Sequence, residues 1–69
     1  MYIYPNPAND QFIIDTKGNE LSFRLLDSFG KTVLESVVSG KEQFSTKALP
    51  NGLYFYQLGE KTGKLSIQK

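Results

Sequence analysis

The chain has 69 residues, 39% of them hydrophobic, with 8 basic and 7 acidic side chains, a net charge of +1, and neither cysteine nor histidine. This length allows one thin-cored domain that buries only roughly 60% of the surface its unfolded chain exposes, while the apolar content is too high for a disordered tail. Interspersed charges exclude the basic stripe of a nucleic-acid binder, missing thiols exclude disulfides and thiolate metal sites, and missing imidazole removes the commonest general base and zinc ligand.

In chain order, an apolar stretch near 2–4 runs into Tyr4-Pro5-Asn6-Pro7. The residue before a proline is pushed to extended geometry and proline cannot donate to a ladder. The segment is therefore predicted to be a stiff extended elbow that ends a short strand. Asn9 and Asp10 suit an Asx-type turn. Phe12 and Ile14 then alternate with Gln11, Ile13 and Asp15, which predicts a half-buried strand near 10–15. Lys17-Gly18-Asn19 breaks it. Leu21, Phe23 and Leu25 alternate with Ser22 and Arg24, giving a strand over 21–27.

Asp27-Ser28-Phe29-Gly30-Lys31 reads as a hairpin in which Gly30 takes a positive φ. A strand follows over 31–38, a break at Gly40 and another strand over 42–46. In Leu49-Pro50-Asn51-Gly52, Pro50 presets a turn and Gly52 releases the chain into the next strand, 53–59. That stretch is apolar on both parities, which suggests a central strand covered on both faces, with Tyr54, Tyr56 and Leu58 inward. A last hairpin around Gly63 leads to a strand over 64–68, with Leu65 and Ile67 on one face and Lys64, Ser66 and Gln68 on the other. About seven short strands, with no helical stripe, predict an all-β, immunoglobulin-like antiparallel sandwich in one domain spanning 1–69.

The acids are scattered at turns and on polar faces and suggest no acid–base pair. The serines lack an activating base. No stretch approaches the roughly 20 apolar residues of a membrane span, and the N-terminus does not read as a signal peptide. These readings predict no enzyme, no cofactor, no metal, no nucleic acid and no membrane insertion.

Four motifs occur in order along the chain: Tyr4-Pro5-Asn6-Pro7; Asp27, Gly30, Lys31 and Val33; Leu49, Pro50, Gly52 and Tyr54; and the basic end carrying Lys64 and Lys69. Over essentially its whole length the chain resembles the C-terminal sorting domain of the type IX (Por) secretion system, type A. The resemblance implies an address label at the end of a larger secreted precursor, with its processing site upstream. The label would be read by the outer-membrane translocon and its shuttle protein. A sortase-like peptidase would then remove it and attach the fused N-terminal cargo to the cell surface. The implied route is periplasmic transit, then the outer membrane, cell surface or exterior.

Recognition candidates are the motif residues together with Leu65 and Ile67. The free edge of the last strand, Lys64 to Lys69, is the expected docking edge, with its charged ends as gatekeepers. The competing expectation is an immunoglobulin-like accessory or adhesion module that binds carbohydrate or protein through exposed Tyr2, Phe29 and Phe55.

Overall fold

The computed structural model describes residues 2–69, which form five strands and no helix: β1 (Tyr2–Tyr4), β2 (Gln11–Leu26), β3 (Thr32–Ser45), β4 (Gly52–Leu58) and β5 (Lys61–Ile67). The difference from the seven expected lies in β2 and β3. The segments read as 10–15 and 21–27 are one strand of 16 residues, and those read as 31–38 and 42–46 are one strand of 14. Lys17-Gly18-Asn19 and Gly40 do not end strands. They face each other in an irregularity of the ladder, where the register passes from Asp15↔Lys41 to Glu20↔Ser39.

Sixteen straight residues would reach about 50 Å at roughly 3.3 Å each. The molecule's longest axis is 29 Å, so β2 must bend, and the bulge is where it does so. Lys17 adopts a φ of 60° there. The buried Thr16 hydroxyl holds the bend: Gly40 N donates to it at 2.8 Å, and it lies within hydrogen-bonding distance of Asn19 O. The extra residues also flip the side-chain parity of β2. Phe12, Ile14 and Thr16 point inward before the bend; Phe23 and Leu25 do so after it.

Folded at the bulge, the antiparallel sheet closes on itself as two layers. One holds β1, the first half of β2 and the second half of β3. The other runs β3, β2, β4, β5 through the remaining halves. Between them lie Ala8, Phe12, Ile14, Phe23, Leu25, Val38, Tyr54, Leu58, Leu65 and Ile67, all buried. The Phe12 and Phe23 rings, from opposite halves of β2, sit 6.0 Å apart, and Phe44 lies 5.4 Å from Phe12 and 5.6 Å from Phe23. Each such side chain contributes roughly 1.5–3 kcal/mol by leaving water, so this trio is the centre of a small core.

Tyr54 and Leu58 are inward as expected, and Tyr56 is half-buried. β4 lies between β2 and β5, but its other face is open: Leu53 and Phe55 are 45% and 38% exposed. Apolar residues of both parities here reflect one covered face and one that is not. The last hairpin sits earlier than expected. Leu58 pairs with Lys61 across Gly59-Glu60, and Gly59, with φ 59°, takes the first turn position that favours glycine. Gly63 lies inside β5, where a Cβ would fall 2.5 Å from the Tyr56 hydroxyl.

Candidate recognition surface

The four motifs occupy different elements, and three of them meet around the ends of β4 and β5. The 4–7 segment is bent rather than extended, with both X–Pro peptide bonds cis. After β1 pairs with β2, this bend carries the chain across to the outer edge of β5. There Asn6 works as a backbone substitute. Its Nδ2 donates to Lys64 O at 3.1 Å and its Oδ1 accepts from Ser66 N at 3.2 Å. Ala8 continues the ladder: its N–H donates to Ser66 O at 2.7 Å, and its carbonyl accepts from Gln68 N at 2.8 Å. The Ala8–Ile67 bridge is parallel.

This arrangement occupies much of the expected docking edge from within the chain. The Lys64 carbonyl, both backbone groups of Ser66 and the Gln68 N–H already have partners within the chain. Two of the recognition candidates, Leu65 and Ile67, are fully buried and serve the core. Lys64 is exposed.

Asp27 organises the first hairpin. Its carboxylate accepts from Phe29 N and Lys31 N, each at 2.9 Å. Its carbonyl accepts from Gly30 N at 3.0 Å, and its N–H donates to Lys31 O at 2.9 Å. Gly30, at φ 86°, supplies the left-handed residue that closes a three-residue loop. The loop lifts Phe29 into solvent at 94% exposure.

The Leu49–Gly52 turn lies beside this hairpin. The Tyr54 hydroxyl donates to Pro50 O at 2.7 Å, a link from strand to preceding loop that resembles a tyrosine corner. Burial, reinforced by the negative charge of Asp27, holds the Tyr54 phenol above its ordinary pKa. Lys69 closes over the same loop: its N–H donates to Asn51 Oδ1 at 3.2 Å, and its ammonium donates to Leu49 O. An open groove of about 590 Å³ separates hairpin and loop, with Asp27, Phe29, Lys31, Leu49, Pro50, Gly52 and Tyr54 among its lining.

Sequence reasoning missed Thr46, Asn51 and Ala8. Thr46 is buried; its hydroxyl bonds Asn9 O, and its N–H donates to Asp10 O at 3.0 Å. Asn9 and Asp10 are thus tied through their carbonyls, not through an Asx-type turn. A buried threonine just after a strand, where the parity pattern continues inward, was the available signal.

The three candidate aromatics are exposed but dispersed. Phe29 is at the hairpin tip and Phe55 on the outer face of β4. Tyr2 is on β1 in the other layer, under the Lys17 ammonium at 4.9 Å. They form no common stacking platform. Among the described residues no group of three acids could hold a metal ion, and no helix is long and apolar enough to cross a membrane.

The family model for the secretion system C-terminal sorting domain matches residues 2–69. A curated protein, beta-agarase A of Zobellia galactanivorans, is 31% identical over 70 residues, covering 97% of this chain and 13% of that protein. The chain therefore spans about an eighth of the length of that relative. No solved structure matches this chain.

Proposed function

We propose that this chain, which belongs to the secretion system C-terminal sorting domain family, is the non-catalytic address label of a larger precursor. It directs a fused N-terminal cargo to the type IX translocon for passage across the outer membrane. The match over residues 2–69 carries this reading. The 13% coverage of the agarase relative supports it, because there the matching stretch accompanies a much longer chain.

In this reading the translocon and its shuttle protein recognise the folded label in the periplasm. A sortase-like peptidase then cuts upstream of it and joins the cargo to the cell surface. The fold suits a protein-read label. Its side chains are spent on closing a small sandwich, and its motifs brace turns and edges so that one stable outline is presented. Asp27, Gly30 and Lys31 shape the hairpin. Leu49, Pro50, Gly52 and Tyr54 shape the facing loop, Lys69 secures that loop, and Tyr4 to Pro7 with Lys64 seal the terminal strand.

The test is a fusion of residues 1–69, with the natural upstream linker, to a periplasmic reporter in a bacterium that carries the type IX pathway. Reporter at the surface or in the medium is expected. A reporter that stays in the periplasm behind a folded domain sinks the reading.

A further inference from the structure

We propose that the outer edge of β3 over residues 32–38 is a strand-docking site, which takes an extended strand of a partner protein by backbone pairing. The inference rests on the sorting-label reading and supplies the surface that the label offers.

Each outer edge of the sheet is managed differently. β1 has three residues and is followed at once by Pro5 and Pro7. β5 is sealed by Asn6 and Ala8. β3 pairs only with β2, and among the described residues no other strand lies beside it. The direction of its backbone groups follows from the neighbouring pairs. Ser22 O accepts from Gly59 N at 2.9 Å, on the β4 side of β2. Ser22 and Arg24 therefore direct their backbone groups toward β4. In an antiparallel ladder the residues opposite them, Val37 and Glu35, direct theirs away from β2. Two N–H and two C=O groups thus face solvent in a row. The Val37 carbonyl meets only the Ser36 hydroxyl of the same strand, at 3.5 Å.

Natural edges of this kind carry charge, proline, a bulge or a cover. The stretch Thr32-Val33-Leu34-Glu35-Ser36-Val37-Val38 has no proline or glycine, and its one irregularity, where the register passes from Leu25↔Leu34 to Leu26↔Thr32, lies at Val33 and leaves 34–38 in regular register. Its one charge, Glu35, is paired with Arg24 at 3.0 Å. Val37 is 59% exposed beside it. High β-propensity with little free charge is the composition that pairs with a further strand. Thr32 and Val33 also line the groove between the hairpin and the Leu49–Gly52 turn, so an added strand has a channel to run into.

The occupant proposed is a foreign strand rather than a second copy. An antiparallel self-pair that overlaps all of 32–38 sets Glu35 against Glu35, and like charges directly opposite destabilise a ladder. The chemistry that fits is a foreign strand with a basic or small polar residue opposite Glu35 and an apolar one opposite Val37.

Three variants in the export fusion test this. Val37→Pro removes an N–H that β2 does not use, a position where an edge strand tolerates proline. Val37→Lys adds an edge charge, and Val37→Thr is the conservative control. Export is expected to fall roughly tenfold for Val37→Pro and Val37→Lys, about the size of one lost backbone pair, with circular dichroism melts near wild type and Val37→Thr exported normally. Should Val37→Pro fail to fold, Val37→Lys decides. Wild-type export of folded Val37→Lys overturns the docking edge and leaves the sorting reading intact. An unexported wild type sinks both. A wild-type dimer in sedimentation that Val37→Lys dissolves would overturn the foreign-strand occupant.

Discussion

β5 and β3 are the two outer strands of one layer, yet they meet solvent in opposite ways. β5 is short, and Lys64 O and both backbone groups of Ser66 on its outer edge are bonded by a segment some 60 residues away in sequence. β3 has 14 residues and, among the described residues, no strand along its outer edge. The closed side collects the Tyr4–Pro7 bend, the Leu49–Gly52 turn and Lys69. The open side carries the two irregularities of the β2–β3 ladder and the Arg24–Glu35 ion pair. Motif residues here mark where the fold is sealed, and the edge proposed for pairing lies elsewhere. A residue pattern that identifies a family need not be the surface its partners touch.

The largest expected effect removes the support common to both edges. Phe23→Ala empties the centre of the aromatic trio and should cost about 3–5 kcal/mol, most of what so small a domain possesses. Denaturant melts should show both edges lost together. A Phe23→Ala variant in which only one layer melts would mean the layers are separate units, and the comparison would fail.

Asn6→Ala comes next. It removes both side-chain bonds to β5 and should cost about 1 kcal/mol, since the pair is exposed to water. Amide exchange gives the sharper reading. In the native chain Ser66 N–H should be protected and Val37 N–H should exchange fast, although both belong to outer strands. Asn6→Ala should release Ser66 and leave Val37 unchanged. A protected Val37 in the free chain would erase the difference between the edges.

The smallest effect concerns Tyr54, on the closed side. Burial first, and then Asp27, raise its folded-state pKa, so the unfolded chain loses the phenolic proton first. The stabilisation is complete below the unfolded value of about 10 and is lost as pH rises from there through the raised folded-state value. Melting temperature should fall above that pH in the native chain, and Tyr54→Phe should flatten the fall. An unchanged slope in Tyr54→Phe would remove the phenol from the account.

Much of the fold was legible because alternation is local. Phe12 and Ile14, Phe23 and Leu25, and Leu65 and Ile67 all point inward as their parity predicts, and Asp27 with Gly30 makes the expected hairpin. Glycine misled where it stood inside strands. Gly18 and Gly40 looked like strand breaks but bend a continuous pair, and Gly63 makes room for Tyr56. The change from even to odd inward positions between Thr16 and Phe23 was the written trace of that bend.

The sequence alone determined the all-β class, the inward faces, the turn chemistry and, through four motifs in order, the family. Each of these depends on neighbours a few residues apart, or on the order of short signals. Only the tertiary structure decided that the sheet folds over at Thr16, that Asn6 seals β5, that Lys69 reaches the Leu49–Gly52 turn, and that β3 is left open. Those outcomes depend on which backbone groups find partners across the closed sandwich. Alternating side chains record which face is buried, but carry no mark of which edge is paired.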